Sequence, residues 1–328
     1  MFILTGNRER RSFVQQIKLE VIMDWGIHLP HLGRQVDRKT LIHFAQTAEH
    51  LGCHSAWVSD HICWPAEFTS KYPYTDDGSF APSPDMGWLD AISTLTFVAA
   101  CTETIRLGTT VLILPYRQPV QTAKQIASLD VLSEGRAILG VGVGWMAEEA
   151  GVLGMPWDKR GARSDEQLEI FRRLFSEREP SFDGKFYSFP KVGFEPKPIQ
   201  TPLPTWVGGS SPAAFRRVAQ YGHAFHAAFQ PPDVIASEWA AVQRECEAAG
   251  REPGEVSLSL RIFLDPAAVM DPDKSIGGSK DQMLEMIARL QTIGVTHLLL
   301  DPVARGGVQA RLDALTRFME DVAPHVAV

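Results

Sequence analysis

An aspartate and a histidine, Asp60 and His61, follow directly on the apolar run Trp57-Val58-Ser59. Imidazole exchanges a proton near neutral pH, so a histidine at the end of a strand suits general acid–base work, with the neighbouring carboxylate as its partner. The competing reading is an aspartate that caps a helix beside an incidental histidine. A second group, Val207-Gly208-Gly209-Ser210-Ser211-Pro212-Ala213, suits an anion. Its glycines expose backbone N–H groups, Ser211 can serve as N-cap and Pro212 as the first helical residue. The donors of a helix start then gather where a phosphate would be held. Arg216 and Arg217 on that helix could add charge for the anion, but read rather as surface charges.

A third group, Gly140-Val141-Gly142-Val143-Gly144-Trp145-Met146-Ala147, contains the G-x-G-x-x-A pattern of dinucleotide sites. That pattern belongs to a first strand–helix unit, whereas here three strand-like runs precede it. Glycine at every second position instead clears one side of a strand, leaving a patch where a flat ring can lie, with Trp145 as a wall. The run Leu107-Gly108-Thr109-Thr110-Val111-Leu112 adds small hydroxyl residues where backbone must approach something closely, a weak signal alone. His28, His31, His223, His226 and Asp301 also stand near strand ends and loosely suggest a metal-dependent hydrolase. That pattern fits poorly, because no carboxylate, lysine or histidine ends the fourth or fifth run to complete a metal site. His297 reads as a core residue, and no G-x-S-x-G nucleophile motif occurs.

These groups need a scaffold that brings strand ends together. Apolar runs at 25–29, 55–59, 105–112, 137–141, 205–207, 224–228, 256–264 and 296–300 read as eight strands. Between them lie helical stripes: Leu41, Phe44, Ala45, Ala48 and Leu51 before Gly52, and Met283, Ile287 and Leu290 before Gly294. A last stripe, Leu312, Leu315, Met319 and Val322, stops at Pro324. Short strands apolar on both faces, alternating with helices, predict an α/β fold, a (β/α)8 TIM barrel over residues 23–328. Insertions at 62–87 after the second strand and 154–204 after the fourth would overhang the C-terminal face. The second holds a helix near 164–176, an Asp183-Gly184 hairpin turn and a proline-rich return, and reads as a lid or pocket wall. Residues 1–22 show no period and read as a disordered extension or a start-site artefact.

The chain has 328 residues, 45% of them hydrophobic, and a net charge of −7, which argues against nucleic acid or an anionic membrane as the main partner and for a small molecule. Four widely spaced cysteines, and no apolar run of membrane-spanning length, point to a reducing cytoplasm.

Taken together, the sequence resembles the luciferase-like monooxygenase superfamily, and within it the oxidoreductases that depend on the deazaflavin coenzyme F420. The resemblance covers nearly the whole chain from Met23. It is carried by Trp57-Val58-Ser59-Asp60-His61, Ile105-Arg106-Leu107-Gly108-Thr109-Thr110-Val111, Gly140-Val141-Gly142-Val143-Gly144-Trp145, Lys159-Arg160-Gly161-Ala162-Arg163 and Val207-Gly208-Gly209-Ser210-Ser211-Pro212-Ala213. It implies a cofactor ring at the barrel mouth beside Asp60 and His61, with His61 catalytic as proton donor or acceptor. It further implies a non-prolyl cis peptide at Thr110-Val111 behind the ring and a phosphate loop at Gly208, Gly209 and Ser210. Thr109, Gly142, Gly144 and Trp145 complete the implied cofactor contacts, and relatives suggest a homodimer. F420 would imply hydride transfer to a small organic substrate. FMN is the alternative and would imply monooxygenation; a protein that only binds the cofactor is a third reading. Sugar-phosphate dehydrogenases of this branch carry a catalytic glutamate where this chain has Trp145, with Glu148 and Glu149 a turn later and free to point elsewhere. That departure argues against a sugar phosphate.

Overall fold

The computed structural model describes residues 23–33, 36–75, 77–80 and 85–326; the extension assigned to 1–22 lies outside them. The strands are β1 (Asp24–His28), β2 (Ser55–Val58), β3 (Arg106–Thr109), β4 (Leu112–Ile113), β5 (Ala137–Gly142), the hairpin pair β6 (Phe182–Asp183) and β7 (Ser188–Phe189), β8 (Thr205–Gly208), β9 (Ala224–Ala228), β10 (Ser257–Asp265), β11 (Ser275–Gly277) and β12 (Val295–Pro302). Among the described residues, eight strands pair in parallel in the order β1-β2-β3-β5-β8-β9-β10-β12, and β12 returns to β1 with Asp24 opposite His297, closing the (β/α)8 barrel. The helices are α1 (Arg38–His50), α2 (Ala91–Ala99), α3 (Pro119–Leu132), α4 (Ala147–Val152), α5 (Arg160–Ser176), α6 (Pro212–Tyr221), α7 (Pro232–Ala248), α8 (Lys280–Ile293) and α9 (Val308–Asp321). None is long and apolar enough to cross a membrane among the described residues.

Local chemistry sets these boundaries. Asp37 accepts the Thr40 N–H at 2.9 Å to start α1, which buries Leu41, Phe44, Ala45 and Ala48, and Gly52 at φ +80° turns the chain out of it. Ser279 and Gln282 form a reciprocal capping box at the start of α8, and Gly294 at φ +107° ends it. Two readings need correction. The run 105–112 is not one strand: β3 stops at Thr109, a cis peptide joins Thr110 to Val111, and pairing with β5 resumes at Leu112. The second insertion is no wall of the mouth cavity. Its Phe194 and Leu203 are buried in the main core, and Gln200 donates to the Asp130 carboxylate at 2.7 Å and to the Ala137 carbonyl at 2.8 Å, so it packs on the outside of α3 and β5.

The glycines of β5 make room for that broken strand. A Cβ at Gly140 would stand 1.8 Å from the Thr109 carbonyl oxygen, and one at Gly142 would stand 2.4 Å from Val111 Cγ2. Much of the space cleared by alternate glycines is therefore filled by the neighbouring chain, and only Gly142 and Gly144 also border open cavity.

The barrel interior is polar along one line. Trp57 Nε1 donates to Ser55 Oγ at 2.8 Å, Ser55 meets His297 Nε2 at 2.9 Å, His297 Nδ1 meets Ser259 Oγ at 2.8 Å, Ser259 meets His226 Nδ1 at 2.9 Å, and His226 Nε2 meets Thr110 Oγ1 at 2.9 Å. Burial, then Arg261, drives His226 down to about 3, and burial with His226 holds His297 well below the ordinary histidine range, so both rings are neutral at physiological pH. Indole is an obligate donor. Two orientations give every link one hydrogen. The inward one strands the Ser55 hydroxyl hydrogen in the barrel core with no acceptor, whereas the outward one leaves the spare hydrogen on Thr110, which borders the mouth, so the outward one satisfies the buried donors.

Candidate active site

A cavity of about 740 Å³ opens at the C-terminal ends of the strands. His61, Val111, Gly142, Trp145, Gly208 and Ser210 all border it, so the acid–base candidate and the anion loop share one space. Asp60, Thr110, Gly144 and Gly209 border it as well, whereas Thr109 stands behind the wall, its hydroxyl donating to the Gly140 carbonyl at 2.7 Å.

His61 lies at the root of the first insertion, only 8% exposed. Its Nδ1 is 2.6 Å from Glu149 Oε2, and the other carboxylate oxygen accepts the N–H groups of Ile62 at 2.6 Å and Cys63 at 3.2 Å. A carboxylate can only accept there, so Nδ1 carries a hydrogen and Nε2 is the nitrogen left for chemistry. Trp64, Trp88 and Trp145 surround the imidazole with ring centroids at 4.5, 5.1 and 5.8 Å. Asp60 faces inward differently. Its oxygens accept the Ile113 N–H at 2.9 Å and Arg117 Nη2 at 2.6 Å, which fastens the chain beyond the cis peptide. Its carboxylate is thus committed to Ile113 and Arg117, beyond Val111 in the chain.

The short helix α4 grips the first insertion through two adjacent glutamates. Glu149 holds its root, and Glu148 Oε1 accepts the N–H groups of Thr69 at 2.7 Å and Ser70 at 3.1 Å, while Ser70 Oγ accepts the Ala147 N–H at 3.0 Å. Burial raises the Glu148 carboxyl, but hydrogen bonds from Ser70 and Thr69 together outweigh it and hold it down at about 2. A depressed carboxylate stabilises the closed arrangement above its unfolded value near 4.5 and loses that contribution as pH falls toward 2. Acid titration followed by tryptophan fluorescence is expected to show the insertion loosening in that window. Glu148→Gln is expected to begin loosened at neutral pH; a variant that titrates like wild type would show that Glu148 does not anchor the loop.

The helix start after β8 forms as its sequence suggests. Ser211 Oγ accepts the Ala214 N–H at 3.3 Å, Pro212 opens α6, and Gly209 takes φ +113°. The amides of Gly209 and Ser210 donate to no acceptor among the described residues. Burial raises the Glu238 carboxyl, which lies against the Ser210 hydroxyl. Arg216 is a surface charge, but Arg217 is not: it is 5% exposed and its Nε donates to Asp165 at 2.7 Å, tying α6 to α5. His28, His226 and Asp301 do reach the cavity, yet His226 spends both nitrogens in the interior chain, and no metal-binding cluster forms among the described residues.

Sequence reasoning missed two groups. Glu149 has no role assigned from sequence, although its place two residues into a helix start that follows a strand end is where a side chain can turn back to the mouth. Arg261 lies inside the apolar strand Ser257–Asp265, and a lone arginine there was the available signal.

A closed parallel barrel whose mouth combines a carboxylate-held histidine with an open helix N-terminus defines a TIM-barrel enzyme with its chemistry at the strand ends. The luciferase-like monooxygenase family model matches residues 22–271, and the chain belongs to that family and is an oxidoreductase. An uncharacterized protein of Mycobacterium tuberculosis is 33% identical over 293 residues, covering 87% of this chain and 95% of its own. An F420-dependent glucose-6-phosphate dehydrogenase of Kineococcus radiotolerans is 30% identical over 240 residues, covering 70% of this chain and 66% of its own. Among solved structures, an F420-dependent secondary alcohol dehydrogenase in complex with an F420-acetone adduct shares the fold with a TM-score of 0.75 at 18% identity, over 94% of this chain and all of that one.

Proposed function

We propose that this protein is an F420-dependent oxidoreductase acting on a small organic substrate. One observation carries the reading: a single cavity is bordered by His61, by the bare wall at Val111 and Gly142, and by the unpaired amides at the start of α6. Those residues fit the cofactor. Val111 is seated against Gly142 and Gly208, whose missing side chains keep that wall flat enough for a ring, and main-chain donors suit a phosphate. The 30% identical F420-dependent dehydrogenase supports the same choice over FMN.

When bound, reduced F420 supplies a hydride to an electron-poor carbon. The chain supplies the rest. Glu149 fixes the tautomer and tilt of His61, whose Nε2 gives or takes the proton, and Trp64, Trp88 and Trp145 keep that exchange out of bulk water. The Thr110 hydroxyl, held by His226 at the cavity wall, would offer a donor to a ring bound there. A cytoplasmic homodimer completes the proposal.

Separate titration with F420 and FMN tests it. F420 is expected to quench the intrinsic fluorescence of the eight tryptophans saturably and more strongly than FMN. Selective quenching by FMN would move the assignment to monooxygenation, and no quenching of folded protein by either would end it.

A further inference from the structure

One stretch of the cavity wall plays no part in the function proposed so far. Arg261 from β10 and Arg311 from the first turn of α9 converge on Asp301 at the end of β12, with Nη2 to carboxylate distances of 2.5 and 3.5 Å. Arg261 Nη1 also donates to Ser59 Oγ at 3.1 Å, and that hydroxyl meets His28 Nε2 at 2.9 Å. Burial, and then Arg261, keep the His28 imidazole neutral. Two guanidinium groups against one carboxylate leave this wall one positive charge in surplus, because the other carboxylate of the lining, Asp60, is already matched by Arg117.

The cluster is also short of acceptors. Arg261 Nε is buried without a hydrogen-bond partner, and His28 Nδ1 is too, a donor in the tautomer whose Nε2 accepts from the Ser59 hydroxyl. Arg311 donates through Nε to the Pro302 carbonyl at 3.0 Å, but its Nη1 donates to no acceptor among the described residues. Buried donors in native proteins are rarely left so. Gly307, at the start of α9, offers no side-chain cap, so the positive end of that helix adds to the same field. Flat apolar surface adjoins it: Phe229 and Phe263 stack at 4.3 Å, Tyr74 meets Phe229 at 5.9 Å, and the Arg261 guanidinium lies 4.9 Å over the Phe229 ring.

We propose that the Arg261–Arg311 cluster is the substrate's docking point, and that the substrate is a carboxylic acid whose carboxylate caps the two guanidinium groups while a flat apolar body lies on the neighbouring aromatic rings. A planar fork matches a carboxylate in two parallel hydrogen bonds, and one surplus charge matches a monoanion. This inference takes the proposed oxidoreductase as its basis and adds the class of molecule it acts on.

Calorimetric titration of the intact protein with trans-cinnamate and with its uncharged isostere, cinnamamide, tests the assignment. The acid is expected to bind at least tenfold tighter than the amide. Arg311→Gln, at a partly exposed position, is expected to weaken the acid at least tenfold and the amide less than twofold, with unfolding unchanged; Arg261→Gln should repeat the pattern. Equal affinity for acid and amide, binding of neither, or an Arg311→Gln protein that keeps the preference would each overturn it. F420 titrated into the same samples separates the two ideas. Saturable F420 binding without an acid preference would refute the docking point alone, whereas an acid preference without F420 binding would refute the cofactor and keep the carboxylate site.

Discussion

A His61→Ala protein is expected to turn over about 100- to 1,000-fold more slowly than wild type while binding F420 within about twofold of it, because positioned proton transfer commonly contributes a factor of that size. The imidazole is held at Nδ1 by a buried carboxylate and has no other protein contact at Nε2 among the described residues, so alanine removes the exchangeable proton and leaves the ring wall and the anion loop in place. Glu149→Gln should fall between the two. An amide can accept on one side only, so its NH2 must face either the His61 N–H or the donors of Ile62 and Cys63, and one contact turns repulsive. Single-turnover kinetics measure both effects. A His61→Ala enzyme with undiminished turnover would return the histidine to a structural role and favour a protein that only binds the cofactor.

The second large effect concerns folding. Gly140→Ala is expected to destabilise the protein by about 3 kcal/mol or more, or to abolish soluble expression, since overpacking a rigid interior commonly costs about 1–3 kcal/mol and here the new carbon meets backbone. The Thr109 carbonyl lies 1.8 Å from the position it would take, and that carbonyl belongs to the strand that must break at Thr110. Gly151→Ala is the matched control. It stands in α4 with nothing within 4 Å of the added carbon, and alanine there is expected to be neutral or to stabilise by about 0.5–1 kcal/mol. Urea unfolding of the three proteins decides the matter; equal midpoints for wild type and Gly140→Ala would show that β5 can slide away from its neighbour.

The barrel was legible because each strand is a short run buried on both faces and each helix carries its own stop, such as Gly52 or Gly294. The start of α6 was legible for a similar reason: Ser211 and Pro212 announce a helix start whatever surrounds it. What escaped depends on contacts across long sequence separation. The break after Thr109 obeys no local rule of the run 105–112 and was anticipated only through family resemblance. The 88-residue reach from His61 to Glu149 is set by how α4 folds back over the mouth, and the placement of the second insertion outside the barrel follows from Gln200 meeting Asp130 and Ala137. Residue type told which groups were chemically able; only topology told which of them meet.

The hydrogen-bonded line from Trp57 to Thr110 has a consequence for where protons travel. An indole nitrogen does not release its hydrogen at physiological pH, so the line is stoppered at its inner end and cannot ferry charge from the bottom of the barrel to the top. Its two neutral imidazoles work as fixed wiring that aims one hydroxyl. A proton exchanged at His61 would therefore come from the mouth side of the barrel, where Trp64, Trp88 and Trp145 ring the imidazole.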